Sequence, residues 1–284
     1  MAKAKKIVAL PNASQSVATS RELYRRLRRL WAEEKPHRYE FSLLRIEEDA
    51  RERIASDDLQ EAGWAWMVLG GVAVKRGDAQ GMSEALEAAL DLLDGDAPGF
   101  LTALVNHAEG WLSFQRLDLA TLLLEKAHQA APGDREILER LVELRLFQGR
   151  FHQARSLAQR LTELDPSRLA PLPGQGERIV RFLRELEVED DDIAPMLHAA
   201  WECFNVEGVE CRRVEAAFHD WHLTVRFHLP LEPHRVDDLE ELYVERLMEL
   251  DVPVRAVENL TLIFLPEARA QRANAAAQER CASA

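Results

Sequence analysis

Apolar positions recur with a helical period through most of the first 168 residues. From Ser20, a residue type favoured at helix N-caps, Leu23, Leu27, Leu30 and Trp31 fall at i, i+4, i+7 and i+8 and share one face. Arg21, Arg25, Arg28 and Arg29 follow the same spacing on the other side, with Arg26 on the flank. A second helix is expected over about 38–56, with Phe41, Leu44 and Ile46 near its start and Pro36 stopping the first. Residues 1–19, rich in small and polar types and carrying Pro11, predict a flexible lead.

From Glu61 onward the pattern acquires a second, longer period. Leu117 and Phe151, Ala120 and Ala154, Leu123 and Leu157, and Pro132 and Pro166 all lie 34 residues apart. Trp111 relates to Ala73 in the same way once an insertion around Gly95–Gly99 is allowed. A fixed period of this length marks stacked helix pairs, each too small to bury its own apolar face. Three units follow, 63–96, 101–134 and 135–168. The first holds Trp66, Leu69-Gly70, Gly77-Asp78 and Ala89-Leu90; the second Ala108, Trp111, Ala120, Ala127 and Pro132; the third Gly149, Phe151, Ala154 and Leu164-Asp165-Pro166. Period and residue types together resemble the tetratricopeptide repeat family over about residues 63–168. Three positions depart from that pattern: Val142 where a small residue is preferred, Arg145 where an aromatic is, and Gln115 in place of the turn glycine.

Beyond the repeats the pattern breaks. Residues 169–177, with two prolines and two glycines, predict a linker. Helices are expected over about 178–186 and 193–205, the second led by the acidic run Glu189–Asp192, which suits a helix N-terminus. After Gly208 the period changes to two. Val214, Ala216 and Phe218 alternate, as do Trp221, Leu223, Val225, Phe227 and Leu229, with His219-Asp220 as the hairpin turn. Val236–Leu250 is again helical, and the continuous apolar run Leu260–Leu265 predicts a buried strand. The fold class is therefore mainly α: a helical-repeat stack (20–168) of solenoid type followed by a small α+β domain (178–266), in the order α-α-β-β-α-β. The alanine-rich residues 267–284 form a tail.

Charge then narrows the function. Hydrophobic residues make up 47% of the 284, charged residues 30%, and the formal net charge is −13. A net negative chain disfavours broad contact with phosphate backbones and anionic lipid. Cys203, Cys211 and Cys281 give no disulfide framework, and no apolar stretch approaches a membrane span, so a cytoplasmic location is expected. His219, His222, His228 and His234 crowd together, but His222 and His228 are six apart, about 20 Å along a strand, so no metal site is expected. Nucleophile-elbow, P-loop, dinucleotide and zinc-protease motifs are absent. No catalytic residue and no cofactor is expected.

The family resemblance implies that the first helix of each pair lines a concave groove, here Thr102, Val105, Glu109 and Leu112, then Glu136, Glu139, Glu143 and Leu146 with Phe147 beside it. Independently of any family, Glu136, Glu139 and Glu143 share one helix stripe. The leading expectation is a non-enzymatic adaptor or scaffold that binds a basic or amphipathic protein segment in this groove. The α+β unit would serve as a second recognition or dimerisation module. Two alternatives are an enzyme built on the His222/Thr224/Arg226/His228 strand face and a regulator contacting nucleic acid through Arg21–Arg29. Lys75 and Asn106 are the groove residues suited to holding a carboxylate, too few for a dedicated receptor of chain termini.

Overall fold

Side chains at the helix ends set the pairs. In this computed structural model α3 (Leu59–Arg76) starts at Asp58, whose carboxylate accepts the N–H groups of Gln60 and Glu61, and stops at Gly77 with φ 71°. Asp78 then caps α4 (Ala79–Leu93). α5 (Ala97–Ser113) turns into α6 (Leu117–Ala130) at Gln115, φ 57°, and α7 (Arg135–Phe147), capped by Asp134, turns into α8 (Phe151–Leu164) at Gly149, φ 73°. All three turns fall where the 34-residue register puts them. α5 begins inside the expected insertion, with Pro98 in its first turn, where a missing N–H costs nothing.

The structure describes residues 19–32, 36–94, 97–164, 166, 175–211, 213–219 and 222–266. Residues 1–18 of the expected lead, residues 169–174 of the expected linker, Asp220 of the hairpin turn and the 267–284 tail lie outside them. Among the described residues α1 (Ser20–Ala32) and α2 (Pro36–Arg51) precede the repeats. Pro36 opens α2, and α2 ends at Arg51, short of the expected 56. Ser20 ties the start of α1 to α3: its N–H and hydroxyl both donate to Glu61, at 2.7 and 2.8 Å. Leu23 and Leu27 are buried with Leu43, Ile46, Val68 and Val72.

Small residues let the stacked helices approach. Ala108, Ala120, Ala127 and Ala154 are fully buried, and a Cβ on Gly70 would meet Leu86 Cγ at 2.5 Å. Val142 is also fully buried, packed with Leu138, Ala154, Ala158 and Leu161.

After the repeats come α9 (Gln175–Glu185), α10 (Asp190–Val206), β1 (Arg213–His219), β2 (His222–Leu229), α11 (Pro233–Met248), α12 (Val254–Asn259) and β3 (Leu260–Pro266). α9 starts inside the stretch read as a linker, and α12 is an element the sequence pattern does not announce. The sheet order is β1-β2-β3, the first pair antiparallel and the second parallel. Aromatic contacts set the helices across it in the same order. Phe182 of α9 meets Phe218 of β1 at 4.7 Å, Trp201 and Phe204 of α10 meet Phe227 of β2 at 5.5 and 5.2 Å, and Tyr243 of α11 meets Phe264 of β3 at 5.5 Å. β3 corrects an expectation: its apolar run lies at the sheet's edge, where Thr261 is exposed and Leu262, Ile263 and Leu265 are only half-buried.

The C-terminal unit is built onto the repeat turns. Asp190 is buried and accepts the N–H groups of His152 and Gln153, so a residue of α10 caps the start of α8. Gln115 donates to the Val209 carbonyl and accepts from the Cys211 N–H, and Trp201 Nε1 donates to the Phe147 carbonyl at 2.9 Å. A single apolar cluster runs from Leu104 in α5 to Phe264 in β3.

Candidate groove on the first-helix face

α1 does more than cover the start of the stack. Its Tyr24 packs edge-on against Trp64 of α3, and the Tyr24 hydroxyl donates to Asn106 Oδ1 of α5 at 2.7 Å. One turn later Arg28 pairs with Glu109 of α5 at 3.1 Å. Glu109 also meets Arg140 of α7 at 2.9 Å, so one carboxylate links three layers of helix. Burial raises the Tyr24 pKa, which keeps the phenol neutral and able to donate.

Between these helices lies an open cleft of about 350 Å³. Met67, Gly71, Val74 and Leu112 give it an apolar floor, and Lys75, Asn106, Glu109, Ser113 and Arg140 a polar rim. Lys75 and Asn106 do share this cleft, but the Asn106 side chain is engaged by Tyr24 and lies 3.7 Å from Met67 Sδ.

Of the residues expected in the groove, Glu109 and Leu112 line this cleft. Thr102 and Val105 are half-buried further toward the start of α5, and Thr102 donates back to the Pro98 carbonyl. On α7, Glu136 and Glu143 are exposed, and the cations that answer the stripe come from the chain itself: Arg135 pairs with Glu139 at 2.7 Å and Arg140 with Glu143 at 3.5 Å. Leu146 is half-buried against the α7–α8 core. Phe147 does not join the others, because its ring and carbonyl are held by Trp201. Tyr24, Met67, Gly71, Val74 and Arg140 are cleft residues that the spacing argument misses. Met67, Gly71 and Val74 are on α3 at the spacing used for α5, so extending that stripe to the first unit would have found them.

The arginine stripe of α1 is largely spent within the fold. Arg25 and Arg29 meet Glu22, Arg26 meets Asp49, Arg28 meets Glu109, and Arg21 lies over the Trp64 ring at 4.8 Å. On β2, His222, Thr224, Arg226 and His228 alternate with the buried residues and face away from the covering helices. His222 Nε2 lies 2.6 Å from the Thr261 hydroxyl, whereas His228 Nε2 is buried 3.3 Å from Glu215 without a hydrogen bond among the described residues, so the two histidines do not converge. Burial raises the Cys203 thiol and pushes Cys211 up to about 12, which keeps both protonated at neutral pH. Among the described residues no three His, Cys, Asp or Glu side chains converge as metal ligands, and no helix is long and apolar enough to cross a membrane.

A second, wider cleft of about 820 Å³ follows the joint between the repeat turns and α10. Two ion pairs line it, Arg150 with Asp191 at 2.9 Å and Arg116 with Asp118 at 3.2 Å, and Arg246 also reaches its wall.

Residues 112–172, which cover the rest of the second unit and the whole of the third, match the family model described as tetratricopeptide repeat. No curated protein matches the chain.

Proposed function

We propose that the tetratricopeptide-type stack is a protein-binding scaffold, and that its partner lies in the cleft between α1, α3, α5 and α7. The observation that carries this reading is an apolar floor left open on the first-helix face while the opposite ends of the repeats are consumed by the C-terminal unit. The partner best suited is an amphipathic segment, whose apolar side chains enter over Met67, Gly71, Val74 and Leu112 and whose cations meet Glu136 and Glu143 at the exposed end. Affinity then comes from the few buried anchors, and the rim charges set on-rate and partner choice. No catalytic role is assigned to the C-terminal unit, where the histidines of β2 do not converge and the thiols are held neutral. Its dense contacts with the repeats support a structural role that fixes the stack's end. A cytoplasmic site of action fits the absence of a disulfide framework.

The test is kinetic. A partner captured on the wild-type protein is compared on the variant Glu136→Lys/Glu139→Lys/Glu143→Lys. Association slows several-fold at low salt and the difference shrinks as salt rises, because the Debye length falls from about 10 Å at 0.1 M to about 3 Å at 1 M. The variant also loses two surface pairs, each worth about 0–1 kcal/mol, so a parallel melt confirms that it is folded. An unchanged association rate in low salt removes the acidic rim from the site.

A further inference from the structure

A strand that is apolar on both faces normally lies inside a sheet, with neighbours on both sides. β3 reads LTLIFLP, without a single charge, yet the sheet ends there. The other edge strand, β1, is protected in the usual way by charged side chains, Arg213 and Glu215. β3 has no such guard, and its outer N–H and C=O groups face no further strand among the described residues.

The helix above this edge is also unfinished. Arg235 of α11 reaches Glu207 beyond the end of α10, and Arg246 lines the joint cleft with Glu202 and Asn205, so that side of α11 faces α10. Val244 and Met248 lie about half a turn away on the helical wheel, on the flank turned away from α10. They are 51% and 82% exposed. The same flank carries Asp237, Glu240 and Glu241, all exposed. Below it, Ile263 and Leu265 stay half-buried on the open face of the sheet, and α12, which leads directly into β3, leaves Val254 and Val257 exposed.

We infer that the outer edge of β3 is a docking site for an extended segment of a partner protein, which adds as a fourth strand and carries alternating apolar and basic side chains. Main-chain bonds to β3 supply the pairing, as in other strand additions. Side chains pointing up pack against Val244 and Met248 and set their cations against Asp237, Glu240 and Glu241. Side chains pointing down extend the apolar surface of Ile263 and Leu265. The acidic flank selects against a second copy of this chain, because a two-fold pairing of β3 with itself would bring two such flanks together.

The experiment uses the full chain and a labelled, end-capped octapeptide of alternating valine and lysine. Fluorescence anisotropy reads binding, and hydrogen exchange reads the amides of residues 260–266. In the free protein part of these amides exchange quickly, and saturating peptide slows them. Replacing lysine by glutamate in the peptide, or the variant Glu240→Lys/Glu241→Lys, weakens binding at least about tenfold, the equivalent of about 1.4 kcal/mol. A peptide of the same length and charge, with prolines in place of alternate valines so that strand pairing is forbidden, gives no protection. The inference is overturned if 260–266 are already fully protected in the free monomer, if sedimentation shows a dimer whose dissociation exposes them, or if the proline peptide binds as well as the parent.

Discussion

His107 shows how a single side chain can carry a stability signature that its sequence neighbours hide. It lies on α5, 4% exposed, stacked 6.0 Å from the Trp111 ring, and neither ring nitrogen finds a hydrogen-bond partner among the described residues. Burial lowers its pKa below the usual histidine value, against an opposing pull from Glu87. The folded value therefore lies below the unfolded one, near 6.5. Between the two, the unfolded chain takes up a proton that the folded chain refuses. The stability involved is present above about pH 6.5 and is lost as pH falls through the folded value. Urea midpoints at pH 7.5 and pH 5.5 check this: the wild type drops at the lower pH, and His107→Leu drops measurably less. His128 shifts the same way, through burial and Arg160, and leaves a residual slope in the variant.

At the scale of elements, the inter-helix turns do two kinds of work. Gly77 and Gly149 both adopt left-handed backbone, but a Cβ at Gly77 would meet nothing within 4 Å among the described residues, whereas one at Gly149 would lie 3.0 Å from Ile193 and 3.2 Å from Leu197 of α10. Gly77→Ala should cost about 1–2 kcal/mol for the backbone alone. Gly149→Ala should cost more, by roughly a further 1 kcal/mol or above, because α10 must give way. Equal losses in denaturant titrations would contradict the docking of α10 on this turn. The repeats were legible because their 34-residue register fixes the turns, the small residues and the helix ends together. The departures were legible only as departures: Gln115 holds a glycine's backbone because its amide ties down Val209 and Cys211, and Arg145 reaches Glu125 and Gln148. Such partners are 94 and 96 residues away for Gln115, beyond any local pattern. The acidic run at 189–192 suited a helix start, yet half its role is to cap α8 and hold Arg150 from another unit. β3 was legible as a strand but not as a half-buried edge, since an apolar run does not say which neighbour it lacks.

For the whole molecule, the C-terminal unit and the repeats share one apolar cluster, and the ends of α5 and α7 toward α10 are closed by it. The first-helix face stays open, with α1 laid over its beginning, and so does the wider cleft along the joint with α10. The groove residues were half legible: on α5 Glu109 and Leu112 line the cleft, while on α7 Phe147 is drawn away by Trp201 of α10, 54 residues further along the chain. On the proposed function, this face, and not the outer face of the second helices, meets the partner. A photoreactive amino acid placed singly at Leu112, on the cleft floor, or at Leu122, 63% exposed on α6, reports directly on which surface is covered. The captured partner is expected to cross-link from position 112 and not from 122; cross-linking from 122 alone, with none from 112, would contradict a site on the first-helix face.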